Sequence, residues 1–277
     1  MTREEICRAL AERLQACDLC PNNCGVDRSQ GQIGACGVGD SPAVYQNFMH
    51  YGEERVIIPA FVINLCGCGL ACPTCPERLR FGQKRLPTGS PDAYAAALCN
   101  YFEHRQMPKT VEWIGGEPTA QIKFVLETSW CLKERLPEGP LIYLNTNGYF
   151  DIALLDMMAG AIDGFVFDLK CMPACTSIVG GNHDYFDVVT RVISRAASLY
   201  PEHIIIRHLV MPGHVSCCTA PVLEWCISHV PGASLNVMTG FQDFERGTAL
   251  PEADRASALA LVHRLGRSHD MIDGMPF

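Results

Sequence analysis

From about residue 58 onward, apolar and polar positions fall into blocks. Six short runs are almost continuously apolar and rich in β-branched residues: AFVINLC, TVEWIGG, PLIYLNTNG, DGFVFDLK, EHIIIRHLVMPG and ASLNVMTG. A strand with one wet face would alternate residue by residue, so these runs predict strands buried on both faces, as in a parallel sheet. Helical stretches follow each of them. Ser90-Pro91-Asp92 opens the first, with Ser90 as N-cap and Pro91 in the first turn. The others are Thr119 to Arg135, DIALLDMMAG, HDYFDVVTRVISRAASLY, Ala220 to Val230, and Asp254 to Ser268. Six strand–helix units predict an α/β fold, a partial (β/α)6 TIM-like barrel over residues 56–277.

Residues 1–55 follow another pattern and predict a separate extension. MTREEICRALAERLQAC reads as a charged, amphipathic helix. CDLCPNNCGVDRSQGQIGACGVGD, residues 17–40, has few large apolar side chains and cannot build a core of its own. Cys17, Cys20, Cys24 and Cys36 recur there as C-x2-C-x3-C-x11-C. Four thiols on a glycine-rich loop suit a closed site for zinc or iron–sulfur; free thiols packed on the barrel are the other reading. A closed site would fasten this segment across the barrel.

Composition narrows the classes. A chain of 277 residues, 48% hydrophobic, suits one barrel-sized domain with a small appendage. The net charge of −8, with no Lys/Arg run, makes nucleic acid a poor partner. The first residues lack the basic and apolar regions of a signal peptide, and no apolar run approaches the roughly 18–20 residues of a membrane span. A cytoplasmic, soluble protein is expected, and its 16 cysteines then read as thiols or metal thiolates.

Parallel barrels carry their chemistry at the C-terminal ends of the strands. Those positions hold Cys66–Cys75, Gly115–Pro118, Asn145–Gly148, Asp168–Lys170, Arg207–His214 and Met238–Gln242. Cys68, Cys72 and Cys75 form C-x3-C-x2-C. Iron–sulfur clusters are normally held by four cysteines. Three on one tight loop would leave one iron open, as catalytic zinc keeps a position for water or substrate. A zinc loop or incidental thiols are the plainer readings. In Gly115-Gly116-Glu117-Pro118 the glycines admit close backbone approach, and Glu117 can pair with an ammonium group. Cys66 reads as a core-facing strand thiol, and Cys7, Cys99, Cys131 and Cys226 as helix core residues. Cys171, Cys175, Cys217 and Cys218 lie just past strand ends. They read as buried small hydrophobes, as ligands of an auxiliary cluster, or as a hydrogen-atom donor.

The cysteine spacing and the ordered elements GGEP, NTNG (Asn145–Gly148), DLK (Asp168–Lys170) and RHLVMPG (Arg207–Gly213) resemble the radical S-adenosylmethionine (SAM) superfamily over residues 15–245. The C-x2-C-P-x2-C-G-V-x-R…G-x-C-G segment and HYGEE (His50–Glu54) are similar to its pyruvate-formate-lyase-activating-enzyme-like members of unassigned role. The resemblance implies a [4Fe–4S] cluster on Cys68, Cys72 and Cys75 whose fourth iron chelates SAM. Its reduction would release a 5′-deoxyadenosyl radical that abstracts hydrogen from substrate. It implies that Gly115, Gly116, Glu117 and Pro118 hold the SAM amino end, that Asn145 and Asn147 line the cofactor, and that Asp168, Lys170 and Arg207 orient its carboxylate side, with Lys170 and Arg207 as the catalytic candidates. Asn145 stands where the activases have Asp, a member of their cation site. The implied partners are a protein or peptide substrate of the glycyl-radical-activase kind, or a small molecule, with a flavodoxin- or ferredoxin-type electron donor. The rival classes are an iron–sulfur electron carrier or cluster-assembly protein that does not turn over SAM, and a zinc-binding interaction module.

Overall fold

The computed structural model describes residues 1–52, 54–77, 85–267 and 270–276. Glu53 of HYGEE and Ser268, the expected end of the last helix, lie outside the described residues. The first strand, β1 (Val44–His50), runs antiparallel to β2 (Ala60–Leu65). From β2 the sheet continues in parallel through β3 (Thr110–Gly115), β4 (Leu141–Thr146), β5 (Gly164–Asp168), β6 (Ile204–Leu209) and β7 (Ser234–Met238). These are the six expected strands in sequence order, and among the described residues β7 does not pair with β2. All six residues of β2 are buried, as a strand covered on both faces requires.

Helices follow each strand. They are α2 (Pro91–His104), α3 (Ile122–Arg135), the single turn α4 (Leu154–Met157), α5 (Tyr185–Leu199), α6 (Ala220–His229) and α7 (Glu252–Leu265), with α1 (Arg3–Gln15) ahead of the sheet. Ser90 caps α2 as expected, its hydroxyl accepting from the Ala93 N–H. Thr2 and Glu5 form a reciprocal capping box on α1. Ile6, Leu10 and Leu14 of α1 join the same apolar cluster as the barrel core.

Both edges carry strands that the hydrophobic pattern does not single out. In VYQNFMH of β1 only the first two residues are buried, so its polarity is mixed. At the other edge the two-residue β10 (Met271–Ile272) pairs in parallel with β7 and turns back as β11 (Met275–Pro276). A small hairpin of β8 (Gln242–Asp243) and β9 (Thr248–Ala249) precedes α7. Covering the open edges removes unpaired backbone from the outer parallel strands.

His208 of β6 shows how tightly the interior is closed. Its Nδ1 lies 2.8 Å from the Leu169 carbonyl and its Nε2 3.0 Å from the Thr219 hydroxyl, which suits a neutral ring. Burial pushes the imidazole down to about 4, the Leu169 hydrogen bond opposing it only in part. The folded value lies below the unfolded one of about 6.5, so the unfolded chain binds more protons in between. Stability present above pH 6.5 is therefore lost as pH falls towards 4. We expect about 2 kcal/mol of this loss between pH 7 and pH 5. A His208→Gln variant should show a correspondingly shallower fall in its urea midpoint over that range.

Candidate active site

The loop after β2 is pinned from several directions. Gly116 N–H donates to the Leu65 carbonyl and Glu117 N–H to the Gly67 carbonyl, both at 2.7 Å, so the end of β3 grips the start of the cysteine loop. The grip requires glycine. Gly115 has φ +117°, and a Cβ on Gly116 would stand 2.0 Å from the Gly67 carbonyl oxygen. A Gly116→Ala substitution must therefore move backbone immediately before Cys68. It is expected to destabilise the fold by up to about 3 kcal/mol and to lower iron incorporation, read from thermal unfolding and iron content.

Cys68, Cys72 and Cys75 all line one cavity of about 350 Å³ at the C-terminal ends of the parallel strands. Cys68 Sγ accepts from the Leu70 N–H and the Asn147 Nδ2, each at 3.4 Å. Burial, and then the charge of Glu117, push the Cys68 thiol up to about 12. Without an ion it stays protonated, so a metal binding there must displace the proton.

The rest of the lining fits a polar ligand. Gly115, Gly116, Asn145, Asn147, Asp168 and Lys170 all face the cavity. So does Asn64, a lone polar residue in apolar β2. The Nδ2 groups of Asn64 and Asn145 have no hydrogen-bond partner among the described residues, although the two residues are only 7% and 6% exposed. Buried amides left this way cost stability unless a bound group accepts from them. Lys170 Nζ sits 2.7 Å from Asp168 Oδ2. Burial opposes both charges. The Lys170 ammonium, then Arg207, nevertheless hold the Asp168 carboxyl below its ordinary range, and Asp168 in turn raises Lys170. Lys170 is thus a fixed cation at the cavity wall.

Two expected cofactor contacts have other tasks in the structure. Glu117 is buried, and Pro118 behind it opens a short 3-10 turn. Glu117 Oε1 accepts from the Thr119 N–H and hydroxyl and from the Thr146 hydroxyl, and Oε2 from the Asn147 N–H. Burial still raises its pKa. This carboxylate ties the end of β3 to NTNG and is not part of the cavity lining. Arg207 does line the cavity, but its guanidinium forks onto Glu54, with Nε–Oε1 at 2.5 Å and Nη2–Oε2 at 2.6 Å. Glu54 and Tyr185 are positioning residues to which the motifs assign no role. The Tyr185 hydroxyl donates to the Asp168 carbonyl at 2.8 Å and accepts from the Lys170 N–H at 3.1 Å, fixing DLK. The sequence signal for Glu54 is its place in HYGEE; Tyr185 lies among other apolar residues of its helix and gives none.

The N-terminal cysteines also converge. Cys17, Cys20, Cys24 and Cys36 line one small space of about 20 Å³, directly behind the cysteine loop, and Leu70 and Asn147 border both this space and the main cavity. The Cys36 carbonyl accepts from the Cys68 N–H at 3.0 Å, and Asn22 Nδ2 donates to the Gly69 carbonyl at 2.9 Å. Burial pushes the Cys20 thiol up to about 11. Cys66 is buried outside the cavity, against Val38, Ala43 and Tyr45. Cys99, Cys171, Cys175, Cys218 and Cys226 are buried, Cys7 and Cys131 half-buried, and Cys217 exposed.

Comparison with known proteins bears on this arrangement. No protein-family model matches the chain. An uncharacterized protein of Methanocaldococcus jannaschii is 28% identical over 268 residues, 92% of this chain and 77% of its own length. A radical SAM methyltransferase from Sphaerobacter thermophilus superposes with a TM-score of 0.57 at 16% identity, over 78% of this chain and 66% of that one. Streptococcus suis SuiB bound to S-adenosylmethionine superposes with a TM-score of 0.55 at 12% identity, over 74% of this chain. The chain shares its fold with these two enzymes. The chain spans about half the length of SuiB, 47%. A second SuiB structure, bound to the precursor peptide SuiA, superposes with a TM-score of 0.54 at 12% identity, over 75% of this chain and 46% of that one. Among the described residues no helix is long and apolar enough to cross a membrane.

Proposed function

We propose that this chain is a radical SAM enzyme. The observation that carries the reading is the convergence on one cavity of Cys68, Cys72, Cys75 and two amides that have no partner among the described residues. The donor set fits a [4Fe–4S] cluster. Three thiols on one loop would hold three irons, and the neighbouring polar wall would receive the ligand of the fourth. When bound, the cluster supplies the electron for reductive cleavage of SAM. The chain's own residues bind and orient. Gly115 and Gly116 present backbone without side chains, and Asn64 and Asn145 offer to a ligand oxygen amide donors that have no partner among the described residues. Lys170, kept charged by Asp168, stands as counter-ion for a carboxylate. Arg207, braced by Glu54, sets the wall at the end of β6. Asn147 donates to Cys68 and steadies the loop.

A protein or peptide substrate of the glycyl-radical-activase kind is our reading of what the radical attacks. It is supported by the motif order of the cysteine loop, GGEP, NTNG and DLK, and by SuiB having been solved with its precursor peptide. A flavodoxin- or ferredoxin-type donor in the cytoplasm would supply the electron. Cys17, Cys20, Cys24 and Cys36 would form a second metal site, zinc or iron–sulfur, that fastens residues 1–55 against the cysteine loop of the 56–277 barrel. The deciding experiment is anaerobic reconstitution and reduction with SAM present. Formation of 5′-deoxyadenosine supports the reading, and its absence from cluster-loaded protein leaves an electron carrier instead.

A further inference from the structure

Three more donors meet outside the main cavity. Cys175 lies in the 3-10 turn Pro173–Val179 that follows β5, Cys217 lies in the π turn Val215–Thr219 leading into α6, and His214 stands at the N-cap of that turn. His214 and Cys217 are three residues apart, and their imidazole and thiol meet at the start of the turn. Cys175 Sγ is 3.5 Å from Cys217 Sγ, and Cys217 Sγ is 3.4 Å from His214 Nδ1. All three donor atoms lie within 4.8 Å of one another, the one such group of His, Cys, Asp or Glu donors among the described residues.

These separations match the edges of a tetrahedron around one ion. Zn–S bonds of about 2.3 Å and Zn–N bonds of about 2.0 Å place two ligand sulfurs about 3.8 Å apart, and sulfur and nitrogen about 3.5 Å apart. The observed spacings are within a few tenths of an ångström of both. Two thiols and an imidazole are soft and borderline donors, which suit zinc and not magnesium or calcium. A disulfide between Cys175 and Cys217 would leave the approach of His214 unexplained.

We propose that Cys175, His214 and Cys217 form a mononuclear Zn²⁺ site whose fourth position opens to solvent beside exposed Cys217. The cysteines bind as thiolates, so loading the site releases their two protons. Cys175 is buried at 3% exposure and anchors the ion to the barrel. None of the three residues lines the main cavity, but their two loops also carry Lys170 and Met211, which do. The ion staples these loops at the rim, and the site stands whether or not the radical SAM reading holds.

The test uses the full chain, purified anaerobically, incubated with Zn²⁺, desalted and counted for zinc and iron. Wild type is expected to retain one zinc per chain more than Cys217→Ser or His214→Ala, at equal iron content. Cys217 is exposed and His214 only half-buried, so neither change opens the core. Cys217→His, which keeps a ligand, is expected to restore the zinc. Equal zinc in wild type and both variants overturns the proposal, as does a Cys175–Cys217 disulfide in peptide maps of the freshly isolated protein.

Discussion

Cys72→Ala is expected to reduce 5′-deoxyadenosine formation from SAM to the level of the enzyme-free control. That is a fall of about a thousandfold or more, some 4 kcal/mol at 1.36 kcal/mol per decade. Cys72 sits at the centre of C-x3-C-x2-C and lines the cavity. It is only half-buried, so truncation opens no large void. The loss should therefore fall on the cluster and not on folding, with circular dichroism unchanged and iron content reduced. Cys66→Ala makes the informative control. Cys66 lies two residues before Cys68 but is buried among Val38, Ala43 and Tyr45, outside the cavity. It should keep SAM cleavage at the cost of a small packing defect. Wild-type rates of cleavage in Cys72→Ala would remove Cys72 from the ligand set and the cluster assignment with it.

The barrel was legible because strands buried on both faces write an unambiguous apolar run, and all six appear where those runs fall. The edge strands were not, for the same physical reason in reverse. β1 has mixed polarity and β10 and β11 span two residues each, too little for a period to register. The cavity was legible by position, since chemistry collects where parallel strands end. What side chains do there was less so. Glu117 could be read as a cofactor contact from its motif, yet only in the fold do Thr119, Thr146 and Asn147 come together to engage its carboxylate. Asn64 and Asn236 carried an overlooked signal, a lone amide inside an apolar strand, where burial demands a partner or a ligand. The Cys175–His214–Cys217 group joins loops 39 residues apart, and no local spacing announces it.

Arg207→Met is expected to cost about 3–5 kcal/mol of stability at pH 7, because it strands Glu54 as an unpaired buried charge. Glu54 is 1% exposed, and its carboxylate is held by the Arg207 fork and by Asn236 Nδ2 at 2.7 Å. Burial raises the Glu54 pKa, but the Arg207 hydrogen bonds and charge, with Asn236, outweigh it and leave the pKa below the ordinary value. In the wild type the pair therefore contributes stability above the unfolded carboxyl pKa of about 4.3, and the contribution is lost as pH falls through the lower folded value. Without Arg207 the burial effect prevails, the folded pKa rises above the unfolded one, and the sign inverts. Protonating Glu54 then relieves the folded state, so the deficit of Arg207→Met should narrow between pH 7 and pH 5. Glu54→Leu combined with Arg207→Met removes both charges and is expected to recover most of the loss. Urea midpoints of the four proteins at the two pH values test the cycle. A single variant that loses less than about 1 kcal/mol, or a deficit that widens on acidification, would show that the pair is not what fixes the end of β6.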